Sequence, residues 1–148
     1  MNQIIDLYSL KLITFTEQDA LDYCLLNDIN YNNIKTLYLN SNELTDISGI
    51  KLFKNIEILS LGFNEITDIS VIKNLKNLKQ LYLDDNKVED IFVLNYLNNI
   101  EVLDIKNLQL ESDQIQYINS LKKLEELYCK NGFKDMKILE SLNKRYYI

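Results

Sequence analysis

The 148-residue sequence predicts an α/β solenoid with a curved parallel sheet on its concave face. Short 3₁₀ or α turns cover the convex face, and a helix caps the N-terminal end. Three observations predict this. The first is a 22-residue period: Leu37, Leu59, Leu81 and Leu103 recur in phase, followed two residues later by Leu39, Leu61, Leu83 and Ile105. A fixed period of this length marks stacked units that bury their apolar faces against one another. The second is an asparagine five residues after each of the first three leucines: Asn42, Asn64 and Asn86. The third is a return segment whose apolar residues step at threes. Ile47, Ile50 and Phe53 are matched by Ile69, Ile72 and Leu75, then by Ile91, Leu94 and Leu97. That spacing suits short helical turns with one buried face.

The elements follow in order. Thr14-x-x-Glu17 has the form of a capping box, and Ala20, Leu21, Cys24 and Leu25 lie at helical spacing behind it. A cap helix over 16–27 is expected. Each strand is announced three residues ahead by Ile34, Ile56, Leu78 or Ile100, and Leu44, Ile66 and Val88 follow the asparagines by two. At the asparagine corner the chain bends out of the sheet and leaves backbone groups without ladder partners. An inward amide both donates and accepts, so Asn42, Asn64 and Asn86 are expected to form a structural ladder. Asp46, Asp68 and Asp90 precede the inward isoleucines, where a carboxylate caps a short turn.

Towards the C-terminus the frame loosens. Leu108 and Gly132 take the asparagine position, and the fifth strand begins at Leu127, two residues late. Ile115, Ile118 and Leu121 predict a longer helix across 112–123. Asp135 is expected to cap a final helix through Met136, Leu139 and Leu142, with Tyr146, Tyr147 and Ile148 as a short sixth strand. The whole of 1–148 reads as one domain: an N-terminal cap over 1–33, repeats over 34–134 and a C-terminal cap over 135–148.

The frame over Leu37–Ile47, Leu59–Ile69 and Leu81–Ile91 reads L-x-L-x-x-N-x-[LIV]-x-D-I, including Leu44-Thr45-Asp46-Ile47-Ser48 and Ile66-Thr67-Asp68-Ile69-Ser70. It resembles the 22-residue leucine-rich repeats of protein phosphatase-1 regulatory subunits and bacterial internalins, across roughly residues 34–130. The resemblance implies a leucine-rich repeat solenoid that binds proteins on its concave sheet.

Alternation along a strand then orders the candidate surface. With Leu37 and Leu39 facing inward, Thr36, Tyr38 and Asn40 face the concave side. The same register gives Ile58, Ser60 and Gly62; Gln80, Tyr82 and Asp84; Val102, Asp104 and Lys106; Glu126, Tyr128 and Lys130. The partner-binding candidates are Tyr38, Tyr82, Tyr128, Ile58, Phe63 and Asp104. Tyrosine offers a large contact area with a polar tip and few rotors. Asp84 and Lys106, on neighbouring strands, are expected to form an exposed ion pair. Asp84, Asp85 and Asp104 form the alternative: an acidic pocket for a cation or a basic partner.

Composition narrows the function. With no histidine, nucleophile–imidazole catalysis is excluded, and the three glycines never form a P-loop. No Cys/His zinc set exists, so no metal and no cofactor are expected. The net charge of −6 disfavours nucleic acid as a partner. Lys51, Lys54, Lys73 and Lys76 read as solvated convex lysines. Neither a signal peptide nor a transmembrane run is visible, so a cytoplasmic protein without membrane contact is expected. Cys24 and Cys129 lie near opposite ends of the array and are expected to remain unpaired. The expected role is a non-catalytic protein-binding scaffold or regulatory adaptor, monomeric alone. The alternative is a structural module that self-associates through its ends.

Overall fold

The computed structural model describes residues 3–142. Six parallel strands form one sheet in chain order: β1 (Gln3–Asp6), β2 (Ile34–Tyr38), β3 (Ile58–Ser60), β4 (Gln80–Tyr82), β5 (Val102–Asp104) and β6 (Glu126–Tyr128). The leucine column is the register itself, since Leu37 pairs with Leu59, Leu59 with Leu81, Leu81 with Leu103 and Leu103 with Leu127. The two-residue delay before Leu127 is absorbed between strands, and the ladder stays in phase.

Strands β2, β3 and β4 are each followed by a corner and a 3₁₀ return. The returns run Ser48–Leu52, Ser70–Asn74 and Phe92–Tyr96. Asp46, Asp68 and Asp90 accept hydrogen bonds from the N–H groups of Ser48, Ser70 and Phe92 at 2.7–2.8 Å, fixing where each return begins. The core lies between sheet and returns. Leu37, Leu39, Leu44, Ile50, Phe53 and Ile56 are fully enclosed, as are their counterparts in the next two coils.

The asparagine side chains join successive coils. Asn64 donates from Nδ2 to the carbonyls of Leu39 (3.0 Å) and Leu61 (2.9 Å), and its Oδ1 accepts from the Leu44 N–H at 3.0 Å. Asn86 does the same for Leu61, Leu83 and Ile66, and Asn42 for Leu7, Leu39 and Leu12. Each amide thus satisfies buried groups from two coils. At the departures, Leu108 is buried, and Gly132 donates its N–H to the Cys129 carbonyl at 2.7 Å. A β-carbon at 132 would stand 2.9 Å from the carbonyl oxygens of both Cys129 and Ile105. These are the two carbonyls that an asparagine amide would address in an earlier coil.

The N-terminal segment differs from expectation in three ways. First, it contributes a strand as well as a helix: Ile5 pairs with Leu37 and Leu7 donates to the Tyr38 carbonyl, so Ile5 and Leu7 take the leucine places. This coil is 32 residues long rather than 22 because helix α1 (Glu17–Leu26) replaces a short return. Second, the capping box lies two residues later than expected. Thr16 caps α1, accepting from the Asp19 N–H, while the Asp19 carboxylate accepts from the Thr16 N–H at 2.7 Å. Thr14 instead forms an isolated bridge with Asp46. Third, only Ala20 and Cys24 of the expected apolar stripe are buried, and Leu25 is 82% exposed.

The fourth return is shorter than predicted. A 3₁₀ turn at Ser112–Gln114 leads into α2 (Ile115–Asn119). The C-terminal turn Met136–Ser141 is 3₁₀, capped by Asp135 through the Lys137 N–H. The expected strand at Tyr146–Ile148 lies outside the described residues. Among the described residues no helix is long and apolar enough to cross a membrane.

Candidate functional site

Five of the strands present the concave face in strict register. Thr36, Ile58, Gln80, Val102 and Glu126 form its first row; Tyr38, Ser60, Tyr82, Asp104 and Tyr128 form the second. The tyrosines are half-buried rather than fully exposed. The Tyr82 hydroxyl donates to Gln80 Oε1 at 3.1 Å and that of Tyr128 to Glu126 Oε2 at 2.8 Å. Each bond spans two residues of one strand, so each ring follows its own strand. Burial and the nearby Glu126 carboxylate push the Tyr82 phenol up.

Two members of the rows are less accessible than strand alternation predicts. Thr36 is buried, and Asp104 is only 5% exposed. The expected ion pair between Asp84 and Lys106 is not formed. Lys106 turns back along its own strand to Asp104 at 2.9 Å and places its ammonium 5.7 Å from the Tyr128 ring centre. A buried carboxylate competes better for the lysine than a half-buried one on the next strand. Asp104 also accepts from the Lys106 N–H at 3.0 Å.

Asp84 therefore receives no ion pair from any described residue. Its carboxylate leans across β3 onto Gly62, where a β-carbon would stand 2.9 Å from Asp84 Cγ. Burial, then the neighbouring Asp104 charge, push its pKa above the ordinary carboxylate value. Sequence reasoning missed this packing, although a glycine beside an aspartate in the third row was its one visible sign. Asp85, one residue on, accepts instead from Asn107 Nδ2 at 2.9 Å.

Phe63 stands at the rim, 57% exposed, with φ of 56°. The corresponding corners in other coils, Ser41, Asp85 and Asn107, share this left-handed conformation. Polar residues of their kind tolerate it, whereas a bulky aromatic rarely adopts it. Along the entry to the sheet Glu57 joins Lys35 (3.0 Å) and Lys79 (2.9 Å), which lower its pKa.

The convex side carries a separate aromatic group. Phe92 meets Tyr96 and Tyr117 edge-on, with centroids 5.7 and 5.5 Å apart, and Lys76 lies 5.4 Å from the Tyr96 ring centre. The convex lysines are partly engaged: Lys51 pairs with Glu17 at 2.7 Å, and Lys76 donates to the Lys73 and Tyr96 carbonyls. Cys24 and Cys129 are buried free thiols whose pKa values rise with burial. Among the described residues no three His, Cys, Asp or Glu side chains converge as ligands for a metal ion.

The family profile described as Leucine Rich repeats (2 copies) matches residues 32–74 and again 54–96. An internalin, InlF, from Listeria monocytogenes superposes on 78% of this chain with a TM-score of 0.66 and 28% identity. The chain spans only 34% of that structure's length. Internalin C2 of the same organism superposes on 98% of the chain and 73% of its own length, with a TM-score of 0.61 and 23% identity. A leucine-rich repeat protein from Leptospira interrogans covers 85% of this chain and 42% of its own, with a TM-score of 0.59 and 21% identity. No curated protein sequence matches the chain.

Proposed function

We propose that this chain, a leucine-rich repeat protein by its repeats and its fold, is a non-catalytic scaffold or regulatory adaptor that holds a protein partner against its concave sheet. Leucine-rich repeat proteins generally act in protein–protein interaction, which supports the class of function. The observation that carries the location is the aromatic strip: Tyr38 and Tyr82 in one row, with Phe63 exposed beside them. Holding Phe63 in a left-handed corner costs about 1 kcal/mol and returns little burial. That cost is understandable if the ring serves a contact outside the chain.

Ile58 extends the apolar area, and Tyr128 ends the row beyond Asp104. A partner covering this face would bury roughly 1,200–2,000 Å² in total. Buried, unpaired Cys24 and Cys129 favour a reducing compartment, so we place the protein in the cytoplasm. The acidic charge argues against nucleic acid.

Affinity capture from native extract, wild type against the Tyr38→Ala/Tyr82→Ala double variant, tests this reading. A protein retained by wild type and weakened by at least ~2 kcal/mol in the double variant supports it. Equal retention by both removes the concave tyrosines from the role.

A second reading, self-association, is favoured by one observation. Strand β1 forms one edge of the sheet, and Ile4, Tyr8, Leu10 and Ile13 are exposed around it. Such an edge can pair with another copy. Mass measured against concentration separates the readings: a monomer supports the adaptor and a tight dimer the assembly.

A further inference from the structure

Seven of the ten large apolar side chains exposed among the described residues lie between Ile4 and Leu26, in the N-terminal cap. A terminal unit of a solenoid normally turns a polar outer face to water, because no further coil covers it. Helix α1 carries the part of this apolar surface that has a defined shape. Ala20 and Cys24 are buried beneath it, while Leu21 and Leu25, one turn apart, form an exposed ridge beside them. A groove of about 320 Å³ runs between this ridge and the turn that follows the helix. Leu21, Cys24, Leu25, Ile29 and Tyr31 supply its apolar lining, and Asp22 its charge.

The surroundings of the groove are acidic. No lysine or arginine occurs between Lys11 and Lys35, whereas Glu17, Asp19, Asp22 and Asp28 fall in or beside the helix. Two of these serve the fold: Glu17 pairs with Lys51, and Asp19 accepts from the Thr16 N–H. Asp22 accepts from the Gln18 amide at 2.7 Å and, like Asp28, forms no ion pair with a described residue. Helix α1 also has no basic residue in its last turn, so no cation offsets the partial negative charge of its C-terminal end beside Asp28.

Charge decides what can cover this groove. A second copy in a symmetric contact would bring the same carboxylates against it, and an anionic lipid surface would be repelled. The complement is both apolar and cationic. Shape decides its form, since leucines one turn apart beside a groove are what a second helix packs against. We infer that the groove along α1 docks a basic amphipathic helix of a protein partner. The apolar face of that helix meets Leu21, Leu25 and Ile29, and its basic face lies over Asp22, Asp28 and the C-terminal end of α1. Helix α1 spans 10 residues, so a partner helix of about 14 residues, roughly 21 Å long, covers it with a turn to spare. The inference concerns the cap and does not rest on the reading given for the concave sheet.

The probe is a synthetic peptide of about 14 leucines and lysines, ordered so that the leucines fall on one helix face. Its controls are the same residues reordered to spread the leucines around the helix, and the ordered peptide with glutamate for every lysine. Each is titrated into isotope-labelled full chain while the backbone amide resonances are followed. The ordered lysine peptide should shift Leu21, Leu25 and Ile29 saturably, with affinity falling as salt rises. The reordered peptide should bind roughly tenfold more weakly, and the glutamate peptide should not bind. Leu25→Ser, at a side chain outside the core, and the Asp22→Asn/Asp28→Asn double variant should each weaken the ordered peptide severalfold with the remaining spectrum unchanged. Equal binding of the ordered and reordered lysine peptides to wild type overturns the inference without reliance on any variant. A shift pattern spread over acidic surface elsewhere also overturns it. A chain that dimerises through Leu21 and Leu25 and leaves the peptide unbound makes a second copy the occupant, and the inference falls.

Discussion

Gly49 donates its N–H to the carbonyl of Phe15 across 2.7 Å, and this bond fastens the N-terminal coil to the first 22-residue repeat. The approach leaves no room for a side chain. A β-carbon at 49 would stand 2.7 Å from the Phe15 carbonyl oxygen and closer still to that of Thr16. In the next two coils the same place is held by Val71 and Val93, where an ordinary return replaces the cap helix as neighbour. Gly49→Ala should therefore destabilise the chain by about 2–3 kcal/mol, as overpacking against backbone does. Val71→Ala, at the equivalent but half-buried place, should cost less. Urea unfolding midpoints of the two variants make the comparison.

The asparagine ladder carries a sharper chemical expectation. Removing the Asn64 amide leaves the N–H of Leu44 without its partner in the core and takes one of two amide donors from each of the carbonyls of Leu39 and Leu61, which keep Asn42 and Asn86. Asn64→Ala should cost about 1–3 kcal/mol, the cost of one buried unsatisfied group. Asn64→Asp restores only the acceptor, and its carboxylate would face two carbonyl oxygens. It should be no better than alanine at neutral pH and should recover part of the loss in acid, where the protonated carboxyl can donate. Thermal melts of the three proteins at neutral and acidic pH check this.

Much of this architecture was legible because a 22-residue period needs only phase to be read. Leu37, Leu59, Leu81 and Leu103 name one column of the sheet, and strand alternation then names the rest. Strand β1 was not legible, because Ile5 precedes Leu37 by 32 residues and so falls outside the period. The capping box was ambiguous for a local reason. Thr14 and Thr16 each have an acidic residue three positions on, and only the fold decides that Thr16 ends the extended segment. At the candidate site, sequence placed Tyr38 and Tyr82 in one row but mispaired Lys106. Column neighbours say which side chains are close, whereas burial of Asp104 decides which carboxylate the lysine satisfies.

The cap of α1 should show acid sensitivity. Hydrogen bonds from the Thr16 side chain and backbone hold the Asp19 carboxyl below its ordinary value. For an acid with a lowered folded pKa, the stabilising contribution is fully present above the unfolded value and is lost as pH falls through the folded one. Asp19→Asn should accordingly be less stable than wild type at neutral pH, with the gap closing in acid below the ordinary carboxylate range. Thr16→Ala should cost about 1 kcal/mol at neutral pH. Melting temperatures across pH, compared between wild type and Asp19→Asn, provide the measurement.

Asp84 should behave in the opposite sense. Its folded pKa is raised, by burial first and by the Asp104 charge second. Folding then favours the protonated form, so the penalty is absent in acid and develops as pH rises through the folded value. At neutral pH the native chain holds an ionised carboxylate that it would fold more readily without. Asp84→Asn should therefore raise the melting temperature at neutral pH, and the advantage should shrink as acid protonates the wild-type carboxyl. An unchanged or lowered melting temperature at neutral pH would instead mean that contacts of the carboxylate outweigh its burial. A stabilising replacement at Asp84 that also weakens partner binding would mark the residue as one whose charge serves the complex rather than the fold.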